Sequence, residues 1–274
     1  MTDASLQTLR EHMASLGSAV VAFSAGVDST LVLAVAVEQL GPRAVAVFGV
    51  SPSVPRDERT EARTLAAHLG ARLIERSTHE LADPSYAAND SQRCRHCKWE
   101  LYGVCRQVAD ELGLAAVLDG TQADDLSDTR PGLLAGRERG VHSPLAACGL
   151  DKHDVRRLAR LLELPNWDKP AMACLASRLP TGTPVTAARL AAVDGVERAL
   201  RRLGFRQVRA RHLGREVLLQ VESERVGELL AQHDDPGLAR AVTQAGFESA
   251  RIDPDGYRRG SLHALGAGSH GADT

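Results

Sequence analysis

The chain has 274 residues, of which 43% are hydrophobic and 25% are charged, a composition typical of globular proteins rather than disordered ones. A net charge of −2 and an aromatic content of 3% argue against a nucleic-acid partner. No apolar run reaches the roughly 20 residues that span a bilayer, and the first residues lack the basic and apolar regions of a secretory leader. We therefore expect a cytoplasmic protein with neither a membrane nor a nucleic acid as partner.

Short apolar segments alternate with helical patterns over the first 168 residues. The predicted helices cover 5–17, 31–40, 56–69 and 98–112, and the predicted buried strands cover 18–22, 44–50, 72–75, 115–119 and part of 140–145. This alternation favours an α/β fold with a doubly wound parallel sheet and helices on both faces. Ligands bind such sheets beyond the carboxyl ends of the strands.

The pattern changes after a Pro- and Gly-rich connection at about 169–184. Helices are predicted over 186–203, 223–231 and 235–245, and strands over 205–211, 215–221 and 247–252. We therefore expect a first domain over residues 1–168, a smaller α+β domain over 169–260 and a disordered tail over 261–274.

The segment Ser24–Thr30 connects the first strand to the second helix. A helix N-terminus offers unpaired N–H groups and the positive end of a dipole, and Gly26 lets the backbone approach a ligand closely. Ser24, Ser29 and Thr30 add hydroxyl groups, and Asp28 is a candidate ligand of Mg²⁺. On these residues alone, a phosphate site and an ordinary capped turn are equally compatible with the sequence.

The chain has five cysteines, which we expect to be reduced in the cytoplasm. Cys94 and Cys97 form a C-x-x-C pair before a helix, a spacing that suits a metal, an Fe–S cluster, a dithiol or two ordinary thiols. Cys174 lies among small residues, four positions before Arg178, whose charge would favour a thiolate. A buried, unreactive thiol is the alternative for Cys174.

Further polar residues are candidates for ligand binding. Asp124, Asp125 and Asp128 follow a strand and suit either Mg²⁺ and ribose or turn and N-cap roles. Arg209 and Arg211 share one face of a predicted strand, where two guanidinium groups can clamp a phosphate or a carboxylate.

Several segments together resemble a known family. Ser24-Ala25-Gly26-Val27-Asp28-Ser29 resembles the S-G-G-x-D-S pyrophosphate loop (PP-loop) of enzymes that cleave ATP between its α and β phosphates. The resemblance narrows to the LarE family of sulfur transferases in the segments 120–132, 141–145 and 167–178. It covers about residues 18–252 of the chain. One departure is Ala25, where the loop usually carries glycine; we expect its methyl group to be tolerated if φ is negative.

The resemblance implies an enzyme that uses ATP and Mg²⁺ on pyridinium-3,5-biscarboxylic acid mononucleotide. The two carboxylates of this substrate are adenylylated and become thiocarboxylates, in the biosynthesis of the nickel-pincer nucleotide cofactor. The implied ATP and Mg²⁺ residues are Ser24, Gly26, Val27, Asp28, Ser29, Thr30, Gly120, Thr121, Asp124, Asp125 and Asp128. The implied substrate residues are Ser177, Arg178, Arg209, Arg211 and Glu197, with Cys174 and Arg178 catalytic.

The resemblance also implies two sources of sulfur. In members with one cysteine, the residue that matches Cys174 gives up its own sulfur. In members with three, the residues that match Cys94, Cys97 and Cys174 hold a [4Fe-4S] cluster that carries an extra sulfide. This chain has all three cysteines, so we expect the cluster, with sulfide or a sulfide donor as partner. We also expect a homo-oligomer.

Three alternatives stay open at this point. A tRNA-thiolating PP-loop enzyme would share the loop and a cysteine-held cluster. A non-catalytic adenine-nucleotide-binding regulator would keep Ser24–Ser29 but would not need the three cysteines together with Arg178. A scaffold stabilised by zinc on Cys94 and Cys97 would contain zinc and no labile sulfide.

Overall fold

The computed structural model describes residues 3–127 and 131–258 of the chain. These residues form two compact units. Of the residues described, those within Met1–Asp83 and Gln92–Met172 belong to the first unit, and those within Pro84–Ser91 and Ala173–Thr274 belong to the second. The predicted tail over 261–274 lies outside the described residues. No helix within the described ranges is long and apolar enough to cross a membrane.

The first unit contains a parallel sheet of four strands in the order β3-β2-β1-β4. The strands are β1 (Ala19–Ala22), β2 (Ala44–Val50), β3 (Arg72–Ser77) and β4 (Ala116–Leu118). The chain runs outward from β1 to β3 and then returns to place β4 on the other side of β1. The crevice beyond the carboxyl ends of β1 and β4 is therefore the topological switch point, where ligands bind in this class of fold.

Helices cover both faces of this sheet, which confirms the predicted α/β fold. Those of the first unit are α1 (Ala4–Ser15), α2 (Val27–Leu40), α3 (Arg56–His68), α5 (Arg93–Leu112), α6 (Pro131–Glu138), α7 (Pro144–Ala147) and α8 (Lys152–Leu161). Ala19 and Val21 face a core built with α1, α2, α3 and α8, whereas Val20 and Ala22 face a core built with α5 and α6. The apolar side chains of β1 thus point to both faces, as expected for a buried parallel strand.

The strand predicted within 140–145 is wrong. In the described chain this segment forms an isolated bridge between Leu118 and His142, and α7 begins at Pro144. A proline has no N–H to extend a ladder and suits the first position of a helix, so pairing ends after one residue.

The second unit contains a sheet of three strands in the order β5-β6-β7. Its elements are α4 (Pro84–Ala87), α9 (Ala187–Arg202), β5 (Arg209–Leu213), β6 (Glu216–Gln220), α10 (Val226–Ala231), α11 (Pro236–Gln244) and β7 (Ser249–Ile252). The segment 84–91 joins this unit because the buried Asn89 amide donates to the carbonyls of Pro180 and Thr183, both at 2.8 Å. That the segment 84–91 belongs to the second unit was not predicted from the sequence. The domain boundary at residue 168 stays a prediction.

Candidate active site

The turn between β1 and α2 is closed by its own hydroxyl groups. Ser29 Oγ donates to the Gly26 carbonyl at 3.1 Å and accepts from the Ser24 backbone N–H at 3.2 Å. Thr30 Oγ1 donates to the same carbonyl at 2.9 Å. Gly26 is the N-cap of α2, so the N–H groups of Val27–Ser29 precede the first bond of the helical ladder, Thr30 N–H to Gly26. Three such N–H groups at the positive end of a helix form an arrangement that binds phosphate.

Ala25 adopts the left-handed conformation, with φ +58°. The negative φ under which the methyl group was expected to be tolerated is therefore not found here. A residue with a Cβ pays roughly 1–2 kcal/mol in this region, and glycine adopts it freely. This turn geometry explains why related loops carry glycine here. The methyl group of Ala25 is fully buried in the apolar core beneath the turn.

Lys152 contacts the Asp28 carboxylate, a pairing that sequence analysis missed. Its Nζ donates to the two oxygens of Asp28 at 2.6 and 2.8 Å, and its backbone N–H donates to Asp124 Oδ2 at 3.1 Å. Lys152 is the first residue of α8. Asp28 thus faces a cation, and Asp124 accepts a hydrogen bond at the start of a helix.

Gly120 follows β4 and lies directly against the first turn of α2. A Cβ at this position would lie 2.9 Å from the Ser29 backbone nitrogen and 3.1 Å from the Asp28 carbonyl carbon. Thr121 is fixed by the buried Asp119 carboxylate, which accepts from the Thr121 N–H at 3.1 Å and from its hydroxyl at 2.8 Å. The two segments at the ends of β1 and β4 therefore meet at the switch point.

A cavity of about 430 Å³ opens at this place. The predicted site residues that line it are Ser24, Asp28, Ser29, Gly120, Thr121, Asp125 and Cys94. Asp125 Oδ2 also accepts from the Gln122 N–H at 3.3 Å, as in a turn. Asp128 lies outside the described residues.

The first two turns of α5 bring Cys94, Cys97 and Lys98 to this region. Cys94 is exposed and Cys97 is half-buried. Residues three apart on a helix share a face, so the two thiols suit joint ligation of one metal group. The pKa of the Lys98 ammonium is raised, first by Tyr102 and then by Asp119 and Cys97. Lys98 and Tyr102 line the same cavity, and sequence analysis assigned neither of them.

Cys105, on the same helix, has a different environment. Its side chain is fully buried against the sheet. Burial raises the pKa of the Cys105 thiol to about 12. A thiol held neutral in this way is a packing residue rather than a ligand or nucleophile.

In the second unit, Cys174 precedes a 3₁₀ turn, Leu175–Arg178, which is held by hydrogen bonds to main-chain carbonyls. Arg178 Nη1 donates to the carbonyls of Ala173 and Cys174 at 2.6 and 3.0 Å and to Ser177 Oγ at 3.0 Å. Ser177 Oγ in turn donates to the Cys174 carbonyl at 2.8 Å. Arg178 thus binds the backbone that carries the thiol.

The other edge of the Arg178 guanidinium faces Glu197 on α9. The two fully buried side chains pair in a bidentate manner, Nε to Oε1 at 2.6 Å and Nη2 to Oε2 at 2.9 Å. Glu197 also accepts from Arg201 at 2.9 Å and from the Ala210 N–H at 3.1 Å. Burial raises the pKa of Glu197, but the charges of Arg178, Arg201 and Arg209 and the hydrogen bond of Arg178 together outweigh it, so the net direction is downward. Glu197 is therefore ionised and anchors Arg178.

Arg209 and Arg211 are buried on β5. Arg211 donates to Gln220 Oε1 at 2.9 Å and to the Ser177 carbonyl at 2.7 Å, and Arg209 lies 4.7 Å from the centre of the Tyr257 ring. Burial, and then the charge of Arg178, lower the pKa of each guanidinium to about 10. An anionic ligand beside these guanidinium groups would raise the pKa of each.

The chain is similar to known families and proteins. The family described as Asparagine synthase matches residues 2–138. An uncharacterized protein of Synechocystis sp. is 40% identical over 97% of this chain and 99% of its own length. The pyridinium-3,5-bisthiocarboxylic acid mononucleotide synthase of Lactiplantibacillus plantarum is 35% identical over 93% of this chain and 92% of its own length.

A probable tRNA sulfurtransferase of Methanothermobacter thermautotrophicus is 29% identical over a smaller share, 53% of this chain and 40% of its own length. The two more similar proteins match nearly the whole chain, whereas this one matches about half of it. The chain therefore belongs to the LarE family of pyridinium-3,5-bisthiocarboxylic acid mononucleotide synthases, within the PP-loop ATP pyrophosphatases, and is an ATP-dependent sulfurtransferase.

Proposed function

We propose that the protein adenylylates the carboxylates of pyridinium-3,5-biscarboxylic acid mononucleotide with ATP and converts them to thiocarboxylates, a step in nickel-pincer nucleotide biosynthesis. The observation that carries this proposal is the cavity that joins the Ser24–Ser29 turn to Gly120, Thr121 and Cys94. The support for this substrate is the relative from Lactiplantibacillus plantarum, whose name specifies the bisthiocarboxylic acid mononucleotide.

ATP solves a specific chemical problem in this reaction. A carboxylate is a poor acyl donor because its leaving group would be oxide, whereas an acyl adenylate releases AMP. The bond that breaks in ATP joins the α phosphorus to the bridging oxygen, and pyrophosphate leaves. The N–H groups of Val27–Ser29 and the Ser24 hydroxyl would bind the charge that develops there. The fully buried Thr30 hydroxyl, which donates to the Gly26 carbonyl, holds the turn instead.

The acidic residues of the cavity fit Mg²⁺, since carboxylate oxygens are its preferred protein ligands. Asp28 and Asp125 line the cavity and would hold the ion, with Asp124 beside them. When bound, Mg²⁺ neutralises phosphate charge. Lys152, which faces Asp28, is placed to turn from this carboxylate to a phosphate oxygen as the ion and ATP enter.

We assign substrate binding to the second unit. Arg209 and Arg211 would bind the phosphate or a carboxylate of the mononucleotide through bidentate hydrogen bonds, and their lowered pKa values support an anionic ligand. Arg178, Ser177 and Glu197 would hold the Cys174 turn in place for the activated carboxyl group.

Cys94, Cys97 and Cys174 would hold the [4Fe-4S] cluster. The donor set fits, because three thiolates suit such a cluster and Cys94 and Cys97 share one face of α5 beside the Lys98 ammonium. When bound, the cluster supplies a sulfide for transfer, replenished from free sulfide or a sulfide donor. Direct donation of the Cys174 sulfur is the alternative route.

Two substitutions test the assignment of ATP and sulfur chemistry. Cys174→Ala is expected to abolish thiocarboxylate formation while ATP still binds, and Asp28→Ala is expected to abolish pyrophosphate release. Cys148→Ala, at a half-buried cysteine outside both sites, is the matched control and should retain both activities. Product formed by Cys174→Ala, or release of inorganic phosphate by the wild-type protein, would contradict the proposal.

A metal analysis tests the cluster. Anaerobic reconstitution should give a broad absorbance at the blue end of the visible spectrum, with iron and labile sulfide in equal amounts. A Cys94→Ala/Cys97→Ala variant should lose this absorbance. Full colour in that variant would exclude Cys94 and Cys97 as ligands of the cluster, and stoichiometric zinc without sulfide would indicate a structural zinc site.

A tRNA-thiolating activity is the second candidate, supported by the partial similarity to a probable tRNA sulfurtransferase. The net charge of −2 disfavours it, since tRNA binding relies on phosphate contacts. Thiouridine in tRNA after incubation with ATP and sulfide would favour this activity. The cytoplasmic location and the homo-oligomeric state stay predictions.

A further inference from the structure

The carbonyl of the strained residue Ala25 is held by two side chains that neither the resemblance nor the proposed chemistry uses. Asn166 Nδ2 donates to this carbonyl at 3.1 Å, and Lys169 Nζ donates to it at 3.2 Å. Both residues belong to the first unit, and they follow α8 shortly before the chain enters the second unit.

Asn166 connects the two ends of the turn. Its side chain is buried, and Nδ2 also donates to Thr30 Oγ1 at 2.9 Å. Thr30 Oγ1 in turn donates a hydrogen bond to the Gly26 carbonyl at 2.9 Å. One amide group therefore fixes the residue before the N-cap and the first turn of α2 in a single arrangement.

The charge of Lys169 is already balanced by α3. Its Nζ lies 2.7 Å from Glu58 Oε2 and 2.8 Å from Glu61 Oε2, and the Lys169 side chain is only 12% exposed. With two carboxylates beside it, Lys169 is not a free cation for phosphate. Its contact with Ala25 instead fixes the direction of a peptide carbonyl.

We propose that Asn166 and Lys169 are positioning residues of the pyrophosphate turn, which hold Ala25 in its left-handed conformation. A residue with a Cβ leaves this conformation readily unless its surroundings enforce it. If Ala25 relaxed, the following N–H groups of Val27–Ser29 would no longer point together at a phosphate. The inference rests on the proposed binding of ATP at this turn.

A double-mutant comparison tests the inference through the affinity for the non-cleavable analogue α,β-methylene-ATP. Asn166→Ala should weaken binding about tenfold in the wild-type background, because Ala25 then leaves the left-handed region. In an Ala25→Gly background the same substitution should cost only about threefold, since glycine adopts positive φ without help. Lys169→Met should follow the same pattern.

Two further variants keep the test decisive. Asn166→Asp preserves the shape of the side chain but has no N–H to donate, so it should also weaken binding of the analogue. This variant replaces Asn166→Ala in the test if that variant does not fold. Glu163→Gly is the matched control, because it relieves another left-handed residue with φ +53°, whose side chain is exposed. It should leave the affinity unchanged.

The outcomes separate the two proposals. No binding of the analogue by the wild-type protein would overturn the proposed function of the turn, and this inference with it. Binding by the wild type with an equal loss in both backgrounds, or with no loss for Asn166→Ala, would overturn the positioning role alone.

Discussion

Replacing Gly120 by alanine perturbs the contact between the two strand ends that form the cavity. The new Cβ would lie 2.9 Å from the Ser29 nitrogen and 3.1 Å from both the carbonyl carbon and the Cβ of Asp28. An ordinary contact needs 3.4 Å or more, so atoms must separate by about half an ångström. The atoms in the way belong mostly to the backbone of α2, which packs in the core and does not yield easily.

Overpacking of this kind costs about 1–3 kcal/mol. For a unit of this size, that cost lowers the melting temperature by roughly 2–4 °C per kcal/mol. The shift also moves the N–H groups of Asp28 and Ser29, so the affinity for α,β-methylene-ATP should fall about tenfold, the equivalent of about 1.4 kcal/mol. Thermal unfolding and calorimetric titration measure the two effects separately.

Gly136→Ala is the matched control in the same unit. A Cβ there would meet the Tyr102 ring at an ordinary 3.5 Å, inside α6. Alanine is the better helix former, so this variant should be as stable as the wild type or about 0.5–1 kcal/mol more stable. A Gly120→Ala variant with wild-type melting temperature and wild-type affinity would refute the close approach of the two segments.

Two other predictions concern stability. Glu197→Gln leaves the buried charge of Arg178 without its carboxylate and should lower the free energy of unfolding by about 3–5 kcal/mol in denaturant titration, whereas the exposed Glu228→Gln should cost under about 1 kcal/mol. Arg63 and Arg59 lower the pKa of Glu75 from 4.5 to about 2, so this carboxylate stabilises the fold above about pH 4.5 and ceases to do so as the pH falls towards 2. Because both arginines are about half exposed, Glu75→Gln should cost at most about 1 kcal/mol at pH 7, and this cost should disappear as the pH falls through about 2; an equal cost at pH 7 and below pH 2 would contradict this.

The sheet and the turn between β1 and α2 are predictable because local signals agree along the chain. The apolar run 18–22, the glycine at position 26 and the helix after it each follow simple rules of burial and capping. The short strand expected within 140–145 was misjudged because its apolar residues resemble a strand, while Pro144 limits pairing to one bridge.

The partners of the candidate site residues were not predictable, because they are remote in sequence. Lys152 meets Asp28 across 124 positions, and Asn166 meets Ala25 across 141. The left-handed conformation of Ala25 was missed for a related reason, since tertiary contacts rather than local preference enforce it. Lys169 lies inside the segment 167–178, and Asn166 lies directly before it. That segment carries part of the family resemblance, but the resemblance implies no role for either residue.

The direct test of the central claim, cluster-based sulfur transfer at Cys174, is intact-protein mass spectrometry after anaerobic turnover. The reconstituted protein is incubated with ATP, sulfide and the biscarboxylate mononucleotide until product exceeds enzyme. An unchanged polypeptide mass after several turnovers is the predicted result. Loss of one H₂S from Cys174, with product limited by the amount of enzyme, would show that the cysteine itself is consumed and would contradict the account.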